Sequence, residues 1–233
     1  MSRYTRIAFL FDVDNTLLDN DGFEQDLRNW LDREIGPGSA DRYWSAFEAL
    51  RDELDYADFL GAVQRCWEST ERDPRWLRAG DFLLNYPFAD RLYPGAIDAL
   101  HELGRVGTTW LVSDGDGVMQ PRKLRRAGLW AAVAGRVRIC VHKEKQLSYI
   151  QRDCSADHYV MVDDKLRILD AIKRQWRDRV TTVQPLQGHY ATDTQVQRDL
   201  PAADITVDRI GALADRRSDL LRHLGAADVR TSP

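Results

Sequence analysis

The chain has 233 residues, of which 43% are hydrophobic and 30% charged, a composition typical of one large folded domain or of a core with a smaller insertion. Its formal net charge of −4 gives no electrostatic basis for binding nucleic acid or an anionic membrane. Its three scattered cysteines form no metal-binding spacing, and no apolar run approaches the roughly 18 residues of a membrane span. The amino-terminal segment also lacks the pattern of a signal peptide, so we expect a cytoplasmic protein with reduced thiols.

The first predicted element is a buried strand. Residues 7–11 form a continuous apolar run that ends at Asp12, as is typical of a strand covered on both faces in a parallel sheet. Further apolar runs occur at 109–112, 137–141, 159–162, 180–183 and, more weakly, 203–207. Helical patterns lie between them at 96–103, 147–150 and 166–176. This alternation predicts an α/β fold, a Rossmann-like parallel sheet with helices on both faces.

Residues 19 to about 90 interrupt this alternation. Apolar residues there recur at helical spacing in four stretches, at 23–35, 43–54, 59–67 and 76–84. Turns that contain proline or glycine separate several of these stretches. We therefore predict an all-helical domain over residues 19–89, inserted into a core domain formed by residues 1–18 and 90–233.

The strongest chemical signal is the segment Asp12-Val13-Asp14-Asn15-Thr16, directly after the first strand. Residues i and i+2 of an extended segment point the same way, so Asp12 and Asp14 can converge at the carboxyl end of the strand, where parallel sheets bind ligands. Two carboxylates there need a cation or a shared proton, and Mg²⁺ suits a site of carboxylate and phosphate oxygens. Taken alone, the segment is also compatible with a solvated turn.

Polar residues also follow the next two strands. Ser113 and Asp114 end the second strand, where a hydroxyl and exposed backbone N–H groups can hold a phosphate oxygen. Lys143 and Lys145 follow the third strand, and a lysine there would neutralise charge during phosphoryl transfer. Each signal is weak alone, because serine is common in turns and lysine on surfaces. We expect the neighbouring His142 to lie at the surface or just outside the site.

Asp163 and Asp164 follow the fourth strand. Two adjacent acids after a buried strand are costly without a partner such as a metal ion. The alternative is that Asp164 caps the helix that follows.

The joint pattern is more specific than any of its parts. Four strands that end, in order, in DxDxT, Ser, Lys and Asp-Asp resemble the four motifs of the haloacid dehalogenase (HAD) superfamily, and the helical insertion resembles its C1-type cap. The resemblance covers essentially the whole chain. It implies a Mg²⁺-dependent phosphatase, a monomer or homodimer, that hydrolyses a small phosphorylated metabolite.

The resemblance also implies roles for individual residues. Asp12 would attack phosphorus and become an aspartyl phosphate, and Asp14 would protonate the leaving group and then activate water. The phosphate-binding residues would be Thr16, Ser113, Asp114 and Lys145. The Mg²⁺ site would consist of Asp12, the Asp14 backbone carbonyl and Asp164, supported by Asp163. Lys143 is the preferred motif lysine because it lies nearest the strand end, and Lys145 is the alternative because the proline that often follows the motif lysine is absent.

Single residues disfavour two other activities that occur on the same scaffold. Dehalogenases of this superfamily lack the second aspartate of the first motif, so Asp14 disfavours dehalogenation. Phosphonate cleavage would need a lysine in the cap, and residues 19–90 contain none. A phosphomutase and a catalytically silent binding module remain alternatives.

Overall fold

The computed structural model describes residues 6–193 and 197–224. Its centre is a six-stranded parallel sheet with the strand order β3-β2-β1-β4-β5-β6. The strands are β1 Ile7–Phe11, β2 Thr108–Asp114, β3 Val137–Cys140, β4 His158–Val162, β5 Val180–Pro185 and β6 Ile205–Val207. Each predicted apolar run overlaps one of these strands, so the predicted parallel α/β sheet is confirmed.

Helices cover both faces of the sheet, as predicted. Outside the insertion they are α5 Ala96–Gly104, α6 Met119–Arg126, α7 Leu129–Ala132, α8 Leu147–Asp153, α9 Leu166–Trp176, α10 Gly188–Thr192, α11 Ala212–Asp215 and α12 Arg217–His223. Alternate residues of β1 enter separate apolar clusters: Phe9 and Phe11 join the one that includes α5, and Ala8 and Leu10 join the one that includes α8 and α9. Within the described ranges, no helix is long and apolar enough to cross a membrane.

The segment between β1 and β2 is helical, as predicted. It contains α1 Asn20–Glu34, α2 Ser39–Leu54, α3 Phe59–Ser69 and α4 Leu77–Asn85. Asp19 is the N-cap of α1, and its carboxylate accepts a hydrogen bond from Gly22 N (2.9 Å). Asp58 is the N-cap of α3, and its carboxylate accepts from Gly61 N (2.7 Å). The predicted last helix begins one residue later than expected, because Pro74–Trp76 forms a separate 3₁₀ turn.

The two connections between the insertion and the sheet lie side by side. Leu18 pairs with Leu92 in an antiparallel bridge. Asp19 N donates to Arg91 O (2.7 Å), and Tyr93 N donates to Leu17 O (3.0 Å). This pairing places the start of the insertion beside the loop that carries Asp12 and Asp14.

Candidate active site

Asp12 lies at the carboxyl end of the central strand. Its backbone N–H donates to Val162 O (2.9 Å), which continues the β1–β4 pairing and fixes the position of the residue. The chain then turns at Asn15, which has a φ of 62°. Asn15 Oδ1 accepts hydrogen bonds from Asn20 N (3.0 Å) and Asp21 N (3.2 Å), so this turn is joined directly to the start of α1. The Asp12 side chain is buried.

Lys143 follows β3, two strands away from β1 in the sheet, and its side chain extends to Asp12. Its buried ammonium lies against Asp12 Oδ1 and 2.9 Å from Asp163 Oδ2. The 3₁₀ turn Lys143–Lys145 points the first lysine inward and leaves Lys145 exposed. Lys145, predicted as a phosphate-binding residue and as the alternative motif lysine, therefore does not lie among the buried carboxylates.

Three buried carboxylates meet beside Lys143. Ligand atoms of Asp12, Asp163 and Asp164 all lie within 4.8 Å of one another. The two oxygens of Asp163 accept hydrogen bonds from Lys143 Nζ (2.9 Å) and Lys165 N (2.9 Å). Asp164 Oδ2 is buried, and no residue in the described part of the chain donates a hydrogen bond to it. Hard oxygen donors with an unsatisfied buried carboxylate oxygen among them suit a divalent cation such as Mg²⁺.

The electrostatics of this cluster also suit a cation. Burial raises the pKa of Asp12 to about 7, against the opposing effect of Lys143. Burial and the neighbouring Asp163 and Asp12 hold the pKa of Asp164 well above its usual value. Burial disfavours the charged form of Lys143, but Asp12, Asp163 and Asp114 together keep its pKa well above its usual value. Positive charge beyond that of Lys143 would therefore stabilise the ionised form of these acids.

Asp14 lies outside this cluster and has different partners. Its side chain is 26% exposed, and its two oxygens lie 2.9 Å and 3.0 Å from Lys123 Nζ. Gln120 Nε2 donates to Asp14 Oδ2 (3.2 Å) and to Ser113 Oγ (2.8 Å). Neither Gln120 nor Lys123 was among the site residues predicted from the sequence. Both lie on the buried side of α6, beside Met119 and Leu124, a placement that no pattern in the sequence indicates.

The predicted phosphate-binding hydroxyls are both buried near the strand ends. Thr16 Oγ1 accepts a hydrogen bond from Asp164 N (3.1 Å), which joins the first and fourth motifs. Ser113 Oγ accepts from Gln120 and lies at the end of β2. The Asp114 carboxylate accepts from Lys143 N (2.8 Å), so it holds the lysine turn in place. This contact gives the Asp114 carboxylate a supporting role, and the phosphate-binding role of Asp114 stays a prediction.

The structure bears on two further expectations from the sequence. Asp164 does not cap the following helix, because the residue before α9 is Lys165 and its N–H bonds to Asp163. His142 lies directly before Lys143, just outside the site, which is one of the two places expected for it, and its Nε2 lies 2.7 Å from Asp55 Oδ2, at the end of α2. The turn that carries Lys143 therefore contacts the helical insertion.

A cavity of about 280 Å³ lies between the sheet edge and the insertion. Asp14, Asp114 and Lys165 line it from the sheet side, and Glu24, Arg51 and Phe59 line it from the insertion. Its volume lies near the lower limit for small-molecule sites, and its lining mixes charged, polar and aromatic groups. The arrangement offers a buried carboxylate, a lysine against it and a second carboxylate at the cavity wall.

Comparison with solved structures identifies the family. The chain is 54% identical to a protein of Burkholderia xenovorans LB400 described as a candidate haloacid dehalogenase-like hydrolase, with 93% of this chain and 98% of that chain covered and a TM-score of 0.86. No protein-family profile and no curated protein sequence matches the chain.

More distant structures share the fold. One is the L-2-haloacid dehalogenase of Xanthobacter autotrophicus with chloropropionic acid covalently bound, at 14% identity, 91% and 98% coverage and a TM-score of 0.59. Another is the magnesium-bound hydrolase YfnB of Bacillus subtilis, at 15% identity, 94% and 98% coverage and a TM-score of 0.58. From its similarity to the Burkholderia protein over nearly the whole length of both chains, the chain belongs to the haloacid dehalogenase-like hydrolases.

Proposed function

We propose that this hydrolase is a Mg²⁺-dependent phosphatase that acts on a small phosphorylated metabolite. The observation that carries the proposal is the placement of Asp14 at the wall of the cavity, two residues beyond the buried Asp12. Departure of an alkoxide requires a proton, and a carboxylic acid within reach of the leaving oxygen supplies it. A halide needs no proton, so dehalogenation gives no use for this second carboxylate.

The chain's own residues account for the steps of a two-stage reaction. The Asp12 carboxylate attacks phosphorus, and the bond to the leaving oxygen breaks as Asp14 protonates it. Asp14, now ionised, removes a proton from water, which attacks the aspartyl phosphate and releases inorganic phosphate. The ammonium of Lys143 neutralises negative charge at the phosphoryl group, and the hydroxyls of Thr16 and Ser113 can donate to its oxygens.

Mg²⁺ would be held by Asp12 and Asp164, with the backbone carbonyl of Asp14 as a further ligand and Asp163 as support. Support for this assignment comes from the buried oxygen of Asp164 that lacks a donor among the described residues, and from the raised pKa of Asp12 and Asp164. When bound, the cation would supply positive charge for the ionised carboxylates and for the phosphoryl oxygens.

The test compares two substrate classes on one enzyme preparation. We expect release of phosphate from aryl and small alkyl phosphates, loss of that activity with chelator, and recovery with Mg²⁺. We expect no chloride release from 2-chloropropionate. Chloride release without phosphatase activity would contradict the proposal, and full phosphatase activity in metal-free enzyme would contradict the metal assignment.

A further inference from the structure

Lys123 is a buried lysine that contacts the second carboxylate of the site. Its side chain is fully buried, and its ammonium lies 2.9 Å and 3.0 Å from the two oxygens of Asp14 and 2.9 Å from Asn20 Oδ1. A lysine ammonium has three N–H donors, and these three acceptors match them in number. Asp14 and Asn20 lie more than one hundred residues away in sequence, on the first-motif loop and at the start of α1.

The surroundings of this ammonium are aromatic. Lys123 Nζ lies 5.5 Å, 5.7 Å and 5.6 Å from the ring centroids of Phe23, Phe59 and Phe88. A charge in such a place is costly unless it is paired, and an apolar side chain of similar size would fill the space without that cost. Packing alone therefore does not explain why a lysine occupies this position.

The contacts hold Asp14 in a single orientation. A carboxylate has about four acceptor positions, of which Lys123 uses two and Gln120 one. One position is left for a proton that moves to or from a reacting group. Asp14 lies on a loop and is partly exposed, so without these donors its side chain would sample several rotamers.

We infer that Lys123 is a positioning residue, which orients Asp14 for proton transfer and joins it to the first helix of the insertion through Asn20. This inference rests on the proposed phosphatase function, because it assigns Asp14 a proton-transfer role. Asn20, Phe23 and Phe59 all belong to the insertion, so Lys123 fits this position only when the insertion is packed against α6. Proton transfer is thereby tied to a closed cavity.

The test uses the dependence of rate on the leaving group. Lys123→Met keeps the volume of the side chain and removes its charge. We expect kcat/KM to fall by roughly 10²-fold or more for an alkyl phosphate, whose alkoxide needs a proton, and by less than about tenfold for p-nitrophenyl phosphate, whose phenolate departs without one. A purely structural role would lower both rates by the same factor, so equal losses would contradict the inference.

A double-mutant comparison keeps the test valid if Lys123→Met folds poorly. Asp14→Asn with Lys123→Met removes both charges and leaves no unpaired buried ion. If Lys123 acts through Asp14, this double variant turns over the alkyl phosphate within about threefold of Asp14→Asn alone. A rate far below that of Asp14→Asn would show that Lys123 acts independently and would overturn the inference.

Lys173→Met is the matched control. The Lys173 ammonium also contacts a carboxylate, at 2.7 Å from Asp204 Oδ2. It donates to Val180 O at the amino end of β5, whereas the site lies at the carboxyl ends of the strands. We expect unchanged rates with both substrates. Wild-type enzyme without any phosphomonoesterase activity would overturn the proposed function and this inference together, whereas an active wild type and an unaffected Lys123→Met would overturn this inference alone.

Discussion

Lys143 and Lys145 lie two residues apart on the same 3₁₀ turn, but only the first has its ammonium in the buried site. We expect Lys143→Met to lower turnover of aryl phosphate by roughly 10²-fold or more, because the charge on the phosphoryl group would then lack its lysine partner. Lys145→Met, at an exposed position, should change turnover by less than about twofold. Steady-state kinetics on the two variants measures the contrast. A larger loss in Lys145→Met would contradict the placement of the motif lysine.

The residues of the site divide into those that follow a strand and those that do not. Asp12, Ser113, Lys143 and Asp163 each end or follow a strand, so the order of strands alone predicts that they meet at one edge of the sheet. Lys123 lies on a helix whose sequence gives no such rule. Its partners are Asp14, on the loop after β1, and Asn20, at the start of the insertion, and the three meet through tertiary packing that no local pattern contains.

At the scale of elements, α6 connects the sheet to the last helix of the insertion. Arg126 donates to Asn85 O (2.8 Å) and Tyr86 O (2.9 Å), and Arg122 donates to Asn85 Oδ1 (3.0 Å) and to the Leu84 carbonyl. The last carbonyls of a helix have no hydrogen-bond donor within the helix. The two arginines of α6 supply donors to these carbonyls at the end of α4. The contact holds the insertion against the core.

Removal of both arginines should loosen that end of α4. In the variant with Arg122→Ala and Arg126→Ala, we expect amide hydrogen exchange in the last turn of α4 to quicken by about tenfold, which corresponds to the loss of one or two hydrogen bonds. Arg125→Ala is the control, because Arg125 lies on the same helix but packs over Trp130 at 4.0 Å. Equal exchange in the double variant and in Arg125→Ala would show that the arginines do not hold this contact.

The strands and the longer helices were largely predictable, whereas five short helices, α6, α7, α10, α11 and α12, were not predicted. The parallel strands are short apolar runs, and the insertion has apolar residues at helical spacing, so periodicity alone identifies both. The helix α6 has the sequence MQPRKLRR, with four basic residues and two polar residues on its buried side, Gln120 and Lys123. The buried face of α6 is not a continuous apolar stripe, because it includes two polar side chains that contact the site. Hydrophobic periodicity cannot detect such a helix.

At the scale of the whole molecule, the buried acids link stability to pH and to Mg²⁺. The pKa of Asp12 rises from 3.8 to about 7 on burial, and the pKa of Asp164 rises as well. A carboxyl whose pKa is higher in the folded state stabilises the fold at low pH, and that stabilisation is lost as the pH rises from about 4 to about 7. Mg²⁺ binds the ionised carboxylates, so its stabilising effect should grow over the same range.

Thermal unfolding with and without Mg²⁺ measures this linkage. We expect the increase in Tm caused by Mg²⁺ to be larger at pH 8 than at pH 5, and to be much reduced at both pH values in Asp164→Asn. Asp116→Asn is a suitable control, because Asp116 holds the start of α6 through Val118 N (2.7 Å) and Met119 N (2.7 Å) and is not one of the three clustered acids. An increase in Tm that is the same at both pH values would contradict the assignment of the acids to the cation.

The central claim is that Asp12 forms a covalent bond to phosphorus, and mass spectrometry of enzyme that is acid-quenched after mixing with an activated aryl phosphate tests it most directly. We predict a phosphoryl adduct on the peptide that contains Asp12, located on Asp12 itself, and neither adduct nor turnover in Asp12→Asn. In Asp14→Asn the adduct should still form, because the aryl leaving group departs unprotonated, and should persist for longer because hydrolysis loses its base. An adduct on Asp14 in the wild type, or normal turnover by Asp12→Asn, would contradict the account.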